Sequence, residues 1–378
     1  MKGGIHMSGW SASVWSVIAL LAPLALAEDA APIPAPATIT IHMNSIHPRD
    51  VLAEFTKQTD TGIAIWPENL YEQQRGPGNQ LPASVDVNID QANFWAALDA
   101  ICAEARLYPT NIGNNPGMIT LQESNGRSAF GKRPQSVGPL ATILVESLVR
   151  NHTLSLDADN PQVQRSYGVN LSAFVDPRDR LIRFQNQPAV ERADDENGQT
   201  IGIAGNGQTN TQDAYCKWKI DNLFVPLDYD PQTSHKLAVL KGSIKATVAA
   251  EVEKIEFDDL DKAQGTEKEV AGVKVVCQEI HLTDNSCEMK VNIIRTEMPK
   301  ENFRTLFGRI FQDGKFITVD NKRLQVSGGG GGGEDKLDYS LQCNFQKPED
   351  KPVKMVWEIT TRTDQIDLPF EFHDLPLP

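Results

Sequence analysis

The sequence predicts an α+β module at the N-terminus, of order β-α-β then β-α-β-β, followed by mostly antiparallel β structure in two immunoglobulin-like β-sandwiches. Three observations predict this. One pattern of apolar residues occurs twice near the start, each time alternating and then changing to helical spacing. Helical spacing disappears after Leu140. From there to the end, short alternating stretches recur between turn residues.

The first copy, residues 39–52, reads ITIHMNSIHPRDVL; the second, residues 85–98, reads VDVNIDQANFWAAL. They align without a gap at an offset of 46 residues. Ile39, Ile41 and Met43 fall on Val85, Val87 and Ile89, and Ile46 falls on Ala92. Val51, Leu52 and Phe55 fall on Ala97, Leu98 and Ile101. Each copy is a strand running into a helix. Pro48 suits the first helical turn, where its missing N–H costs nothing. Residues 62–66 read as a strand stopped by Pro67, and residues 69–82 as a polar connection. The second strand, 84–89, and helix, 93–106, are followed by a hairpin that turns at Gly113-Asn114-Asn115-Pro116-Gly117. The module spans residues 37–122, with its helices packed on sheet faces.

Ahead of it, residues 1–27 read as a secretory signal. Lys2 supplies the positive end, residues 14–26 the apolar run, and Ala25-Leu26-Ala27 the small-x-small cleavage site. That run is shorter than the ~20 residues of a membrane span, and Pro23 interrupts it. Residues 28–36 are a Pro/Ala linker. Residues 123–139 hold Asn125-Gly126 and Gly138-Pro139 without apolar periodicity, and read as a second linker. The first sandwich covers residues 140–250, with turns at Asp176-Pro177-Arg178-Asp179 and Glu196-Asn197-Gly198-Gln199. The second covers residues 251–378, with a hairpin turn at Thr283-Asp284-Asn285-Ser286. One larger two-sheet domain is the alternative. Gly328 to Gly333 read as a mobile hairpin tip: Glu334 and Asp335 lead on into a strand, with no helix N-terminus to hold a phosphate.

The net charge of -14 and pI near 5.0 disfavour nucleic acid or an anionic membrane as the main partner, because phosphate binding draws on clustered Lys and Arg. No transmembrane segment follows the signal. Five scattered cysteines fit neither a disulfide framework nor a zinc site. His42 and His47 are the closest histidines, but a strand and a helix start would have to bend to share a metal, so both read as surface residues. HExxH, GxSxG and P-loop motifs are absent. No catalytic residue, cofactor-binding residue or metal ligand is assigned, and no cofactor is expected. Asp194-Asp195-Glu196 and Asp258-Asp259 with Asp261 read as solvated turns, calcium at a loop being the alternative. Trp218 and Trp357 lie in strand-like stretches and read as core.

The unit carried by Ile39, Ile41, Ile46, Val51, Leu52, Gly62, Ile63 and Ile65, repeated at Val85, Val87, Ala92, Ala97, Leu98 and Ile101, resembles the short N-terminal (STN, N0-like) domain of secretins and TonB-dependent receptors. It covers less than a quarter of the chain. The resemblance implies a periplasmic module that docks inner-membrane or regulatory proteins. The secretin repeats, or the receptor plug and barrel, that usually follow are not legible here. The expectation is an exported, non-enzymatic envelope protein, periplasmic or extracellular, acting as a docking or scaffold component. Its partner would be another envelope protein held by the N-terminal module. A calcium- or glycan-binding β-sandwich protein and a secretion-system accessory are the alternatives.

Overall fold

A computed structural model describes residues 38–73, 81–110, 118–124, 130–155, 162–204, 210–229, 231–320, 323–324 and 326–377. The expected signal (1–27), the 28–36 linker and the turn at 113–117 lie outside the described residues.

The chain opens with β1 (Ile39–Ile46), α1 (Pro48–Thr59), β2 (Ile63–Ile65), β3 (Val85–Ala92), α2 (Phe94–Ala105), β4 (Leu107–Thr110) and β5 (Ile119–Glu123). Both ends of β1 and of α1 recur 46 residues later in β3 and α2. So do the N-caps, His47 and Asn93, and the left-handed C-caps, Asp60 and Arg106. Left-handed Ser45 recurs as Gln91. β1 and β3 pair antiparallel, with Ile41 opposite Ile89, His42 opposite Asn88 and Met43 opposite Val87. His42 and Asn88 occupy the same position in the two copies, and His42 Nδ1 hydrogen-bonds Asn88 Oδ1. The copies therefore face each other across a local pseudo-twofold axis at that pair. Beneath the ribbon the two helices meet through Phe55 and Phe94, whose rings lie edge to face at 5.0 Å. A second sheet has the order β2-β5-β4. Its β2–β5 pairing is parallel, and the other pairings among the described residues are antiparallel.

The middle of the chain holds β6 (Gln135–Val137), β7 (Ala141–Ser155), β8 (Gln162–Val175), β9 (Leu181–Gln185), β10 (Ala189–Asp195), β11 (Gly202–Ile203), β12 (Thr211–Asp213), β13 (Lys219–Asp228) and β14 (Lys236–Asp258). Strands β11-β13-β8-β7-β6 form one sheet. The stretch read as a linker at 123–139 is structured at Phe130 and in β6. Phe130 is buried and its N–H donates to Asp99 Oδ1 at 3.1 Å. A single aromatic in a polar run is enough to anchor it, because burying the ring outweighs ordering a few neighbours. The core of the opening segment continues into this sheet: Trp95 meets Phe174 at 5.1 Å and Trp218 at 5.3 Å between ring centroids. Its indole N–H donates to the Val175 carbonyl at 2.9 Å.

The last third holds β15 (Glu267–Val270), β16 (Val273–Leu282), β17 (Ser286–Arg295), α3 (Lys300–Asp313), β18 (Gly314–Thr318), β19 (Arg323–Leu324), β20 (Ser327–Gly332), β21 (Lys336–Asn344) and β22 (Pro352–Pro376). β22 pairs with β14 from Lys236 opposite Pro376 to Asp258 opposite Lys354. This long ribbon is the centre of the sheet β12-β9-β14-β22-β18-β19, on which β10 also pairs with β14. The expected boundary between residues 250 and 251 falls inside β14, and Ala35–Pro378 forms one compact unit. Strand makes up 60% and helix 14% of the described residues, which sets the class as mostly β with several antiparallel sheets.

Two further features differ from the sequence reading. Helix α3 was not expected after Leu140. Its Phe303, Leu306 and Ile310 recur at helical spacing and are buried beside Phe316 and Trp357. The glycine run is not a hairpin tip but the edge strand β20, paired with β21 in the sheet β15-β16-β17-β21-β20. Glycine is a poor strand former, and the neighbouring strand decides the matter. The Tyr339 ring lies across Gly330, its register partner, where a Cβ would come within 2.2 Å of the ring.

All five cysteines are buried and unbonded. Cys287 and Cys343 sit directly opposite on β17 and β21. The Cys287 thiol beside it, together with burial, pushes the Cys343 thiol up. A thiol reagent is therefore expected to find no cysteine in the folded protein and five after unfolding. A count lower by two would mean that the Cys287–Cys343 pair closes as a disulfide.

Candidate functional site

Among the described residues, no three His, Cys, Asp or Glu side chains converge as metal ligands do. His42 is held by Asn88, and the His47 ring caps α1 by accepting from the Arg49 N–H at 3.2 Å. The acids of the 194–196 turn are spent on protein groups. Asp195 accepts from Gln199 N at 2.8 Å, Asn197 N at 2.9 Å and Ser234 Oγ at 2.8 Å. Burial opposes its charge, yet these bonds hold its carboxyl below the usual range. Glu196 accepts from the backbone of His235 and Lys236. Asp258, Asp259 and Asp261 pair with Lys354, Lys262 and Lys351. Trp218 and Trp357 are buried.

A crevice of about 160 Å³ lies where three parts of the chain meet. Asp60 to Gly62, at the end of α1, form one wall. Arg180, Lys217 and Trp218 come from the middle segment; Lys254, Lys315, Arg323 and Glu358 come from the long ribbon and the strands beside it. Five cations thus line it against two carboxylates, in a chain whose net charge is -14. Glu358 is shared by Lys315 at 3.3 Å, Lys217 at 3.7 Å and Arg180 at 3.8 Å. Burial works against its charge, but these cations hold its carboxyl below the usual range. Burial pulls the Lys315 ammonium down; Glu358 opposes this, while Lys217 and Arg323 add to the fall. Behind the crevice Lys217 reaches Asp313 at 2.7 Å, and Arg309 Nε lies 3.0 Å from the same carboxylate. Arg309 also donates to the carbonyls of Leu181 and Ile182, so the network ties α3 to β9.

Beside the crevice, the turn Pro177–Asp179 carries a second strained charge. Asp179 has a buried oxygen, Oδ2, without a hydrogen-bond partner. Burial, then the neighbouring Asp176, pushes its carboxyl up to about 7, with Arg178 opposing. A carboxyl raised in the folded state keeps a proton that the unfolded chain has lost. Stability therefore falls as pH rises from 3.8 towards 7 and stays lower above it. Asp179→Asn is expected to add about 1–3 kcal/mol at pH 8 and almost nothing at pH 4, read from urea unfolding at both. An equal effect at both pH values would disprove this origin.

The other candidate is the outer edge of β20. Ser327 to Gly332 are exposed along their length. The opposite edge of the same sheet, β15, carries Glu267, Lys268 and Glu269. Charges of that kind guard sheet edges against further pairing, and β20 has none. Sequence reasoning missed both candidates. The crevice cations are spread from residue 180 to 323, and the edge is created by its neighbour β21.

With that geometry in place, comparison with known proteins identifies no relative: no protein-family model, no curated protein and no solved structure matches the chain. No helix among the described residues is long and apolar enough to cross a membrane.

Proposed function

We propose that this chain is an exported, non-enzymatic docking protein of the cell envelope, and that β20 accepts an extended strand of its partner. The observation that carries this reading is the unguarded glycine edge. Strand addition draws affinity from main-chain hydrogen bonds, and an edge without side chains presents those groups unobstructed. The signal-like N-terminus and the STN-like pattern of residues 37–122 support export and docking. The β-rich remainder, 140–378, serves on this reading as sandwich-type spacers that carry the glycine edge.

The glycines alternate in a way that permits a clean test. A Cβ at Gly329 or Gly331 meets nothing within 4 Å, whereas one at Gly328 would lie 1.9 Å from the Ser340 carbonyl oxygen. The double variant Gly329→Lys, Gly331→Lys should therefore fold and place charges along the edge. Hydrogen exchange on the wild type with cross-linked envelope partner should show new protection at residues 327–332. The variant should lose both partner and protection. Capture of a partner with unchanged exchange at β20 would refute strand addition.

A further inference from the structure

We propose that the crevice between Arg180, Lys217, Lys254, Lys315 and Arg323 binds a tetrahedral oxyanion: inorganic phosphate or the phosphate of a small phosphomonoester.

Charge is the first argument. The five cations exceed the lining acids, Asp60 and Glu358, by three. A dianion would leave one positive charge over, whereas a carboxylate would leave two. Isolated surface lysines are common, but these side chains converge on one concavity from separate segments: the turn after β8, the residue two before β13, and strands β14, β18 and β19. Such an array suits a ligand with oxygens on every side, because each cation then meets its own acceptor.

The site's own chemistry is the second argument. Glu358 already shows that the crevice stabilises an oxyanion, since three cations stand within 3.8 Å of its carboxylate. That single charge does not saturate them. Lys254, directly across the ribbon from Glu358, has no salt bridge among the described residues, and neither has Arg323. Both are exposed, so both are free to turn towards an incoming anion.

Size is the third. The volume of about 160 Å³ equals about five waters at ~30 Å³ each. That holds one phosphate with a short carbon chain.

The inference is independent of the docking proposal, and its test does not involve β20. Thermal unfolding of the full chain is followed with inorganic phosphate, glycerol phosphate, acetate and chloride at matched ionic strength. Phosphate is expected to raise the melting temperature along a saturating curve, with acetate following chloride. The double variant Lys254→Ala, Arg323→Ala removes only exposed side chains. It should melt like the wild type in chloride and bind phosphate at least tenfold more weakly. Tighter binding of glycerol phosphate would assign a phosphomonoester, and tighter binding of inorganic phosphate the free ion. Identical curves in phosphate and chloride would overturn the proposal. So would acetate acting as phosphate does, or an unchanged affinity in the double variant.

Discussion

Trp95→Ala is expected to cost about 3–5 kcal/mol of stability, the usual range for emptying a buried aromatic site. Trp95 is 2% exposed and touches the rings of Phe94, Phe130, Phe174 and Trp218. Alanine would leave a cavity lined by four aromatic rings, which cannot close without moving α2 or β8. The Val175 carbonyl would also lose its indole donor. Urea unfolding measures the loss, and the slope should stay unchanged if the chain remains one cooperative unit. Trp66→Ala is the control: that ring is 54% exposed, and a change within about 0.5 kcal/mol is expected. A small loss at Trp95 would mean that residues 37–122 sit on the rest without a shared core. The same packing makes deletion of that segment a poor functional test, because it would strip Phe174 and Trp218 of their cover.

Asp313→Ala is expected to cost a similar amount, about 3–5 kcal/mol, for an electrostatic reason. Lys217 at 2.7 Å and Arg309 at 3.0 Å would remain buried with their shared carboxylate gone. Burial opposes the Asp313 charge, but these two cations hold its carboxyl below the usual range. A lowered folded pKa stabilises above the unfolded value of 3.8, and that contribution is lost as pH falls through the folded pKa. The deficit of the variant should therefore be full at neutral pH and shrink in strong acid. Exchanging the group together, as Lys217→Met, Arg309→Met and Asp313→Leu, should recover most of it. Apolar residues of similar volume carry no desolvation cost. Glu358 would keep Lys315 and Arg180. If the triple exchange is as damaging as the single one, packing or the Arg309 bonds to Leu181 and Ile182 hold this region, not charge balance.

How much of this was legible beforehand depends on the range of the forces involved. The two strand-helix copies could be read closely: residues 93–106 against an observed helix of Phe94–Ala105, because capping and periodicity act over a few residues. Helix α3 carries the same spacing in Phe303, Leu306 and Ile310. There Lys300, Arg304 and Arg309 dilute it, and Arg309 is buried against Asp313, where a sequence reading places a solvated charge. The glycine run misled for a related reason. Its own propensity argues against a strand, and the deciding contact is the Tyr339 ring on the next strand.

The amino-acid sequence by itself determined the duplication, the local elements that follow from it, the β-rich class and the acidic surface. Tertiary structure alone decided that β14 and β22 run as one ribbon through residue 250, that an unguarded edge exists, and that five cations meet in a crevice. The physical reason is separation along the chain. Period and capping are written within a turn or two, whereas pairing β14 with β22 or bringing Arg180 to Arg323 closes loops of about a hundred residues or more. No spacing rule encodes such contacts, and only the balance of burial against chain entropy selects them.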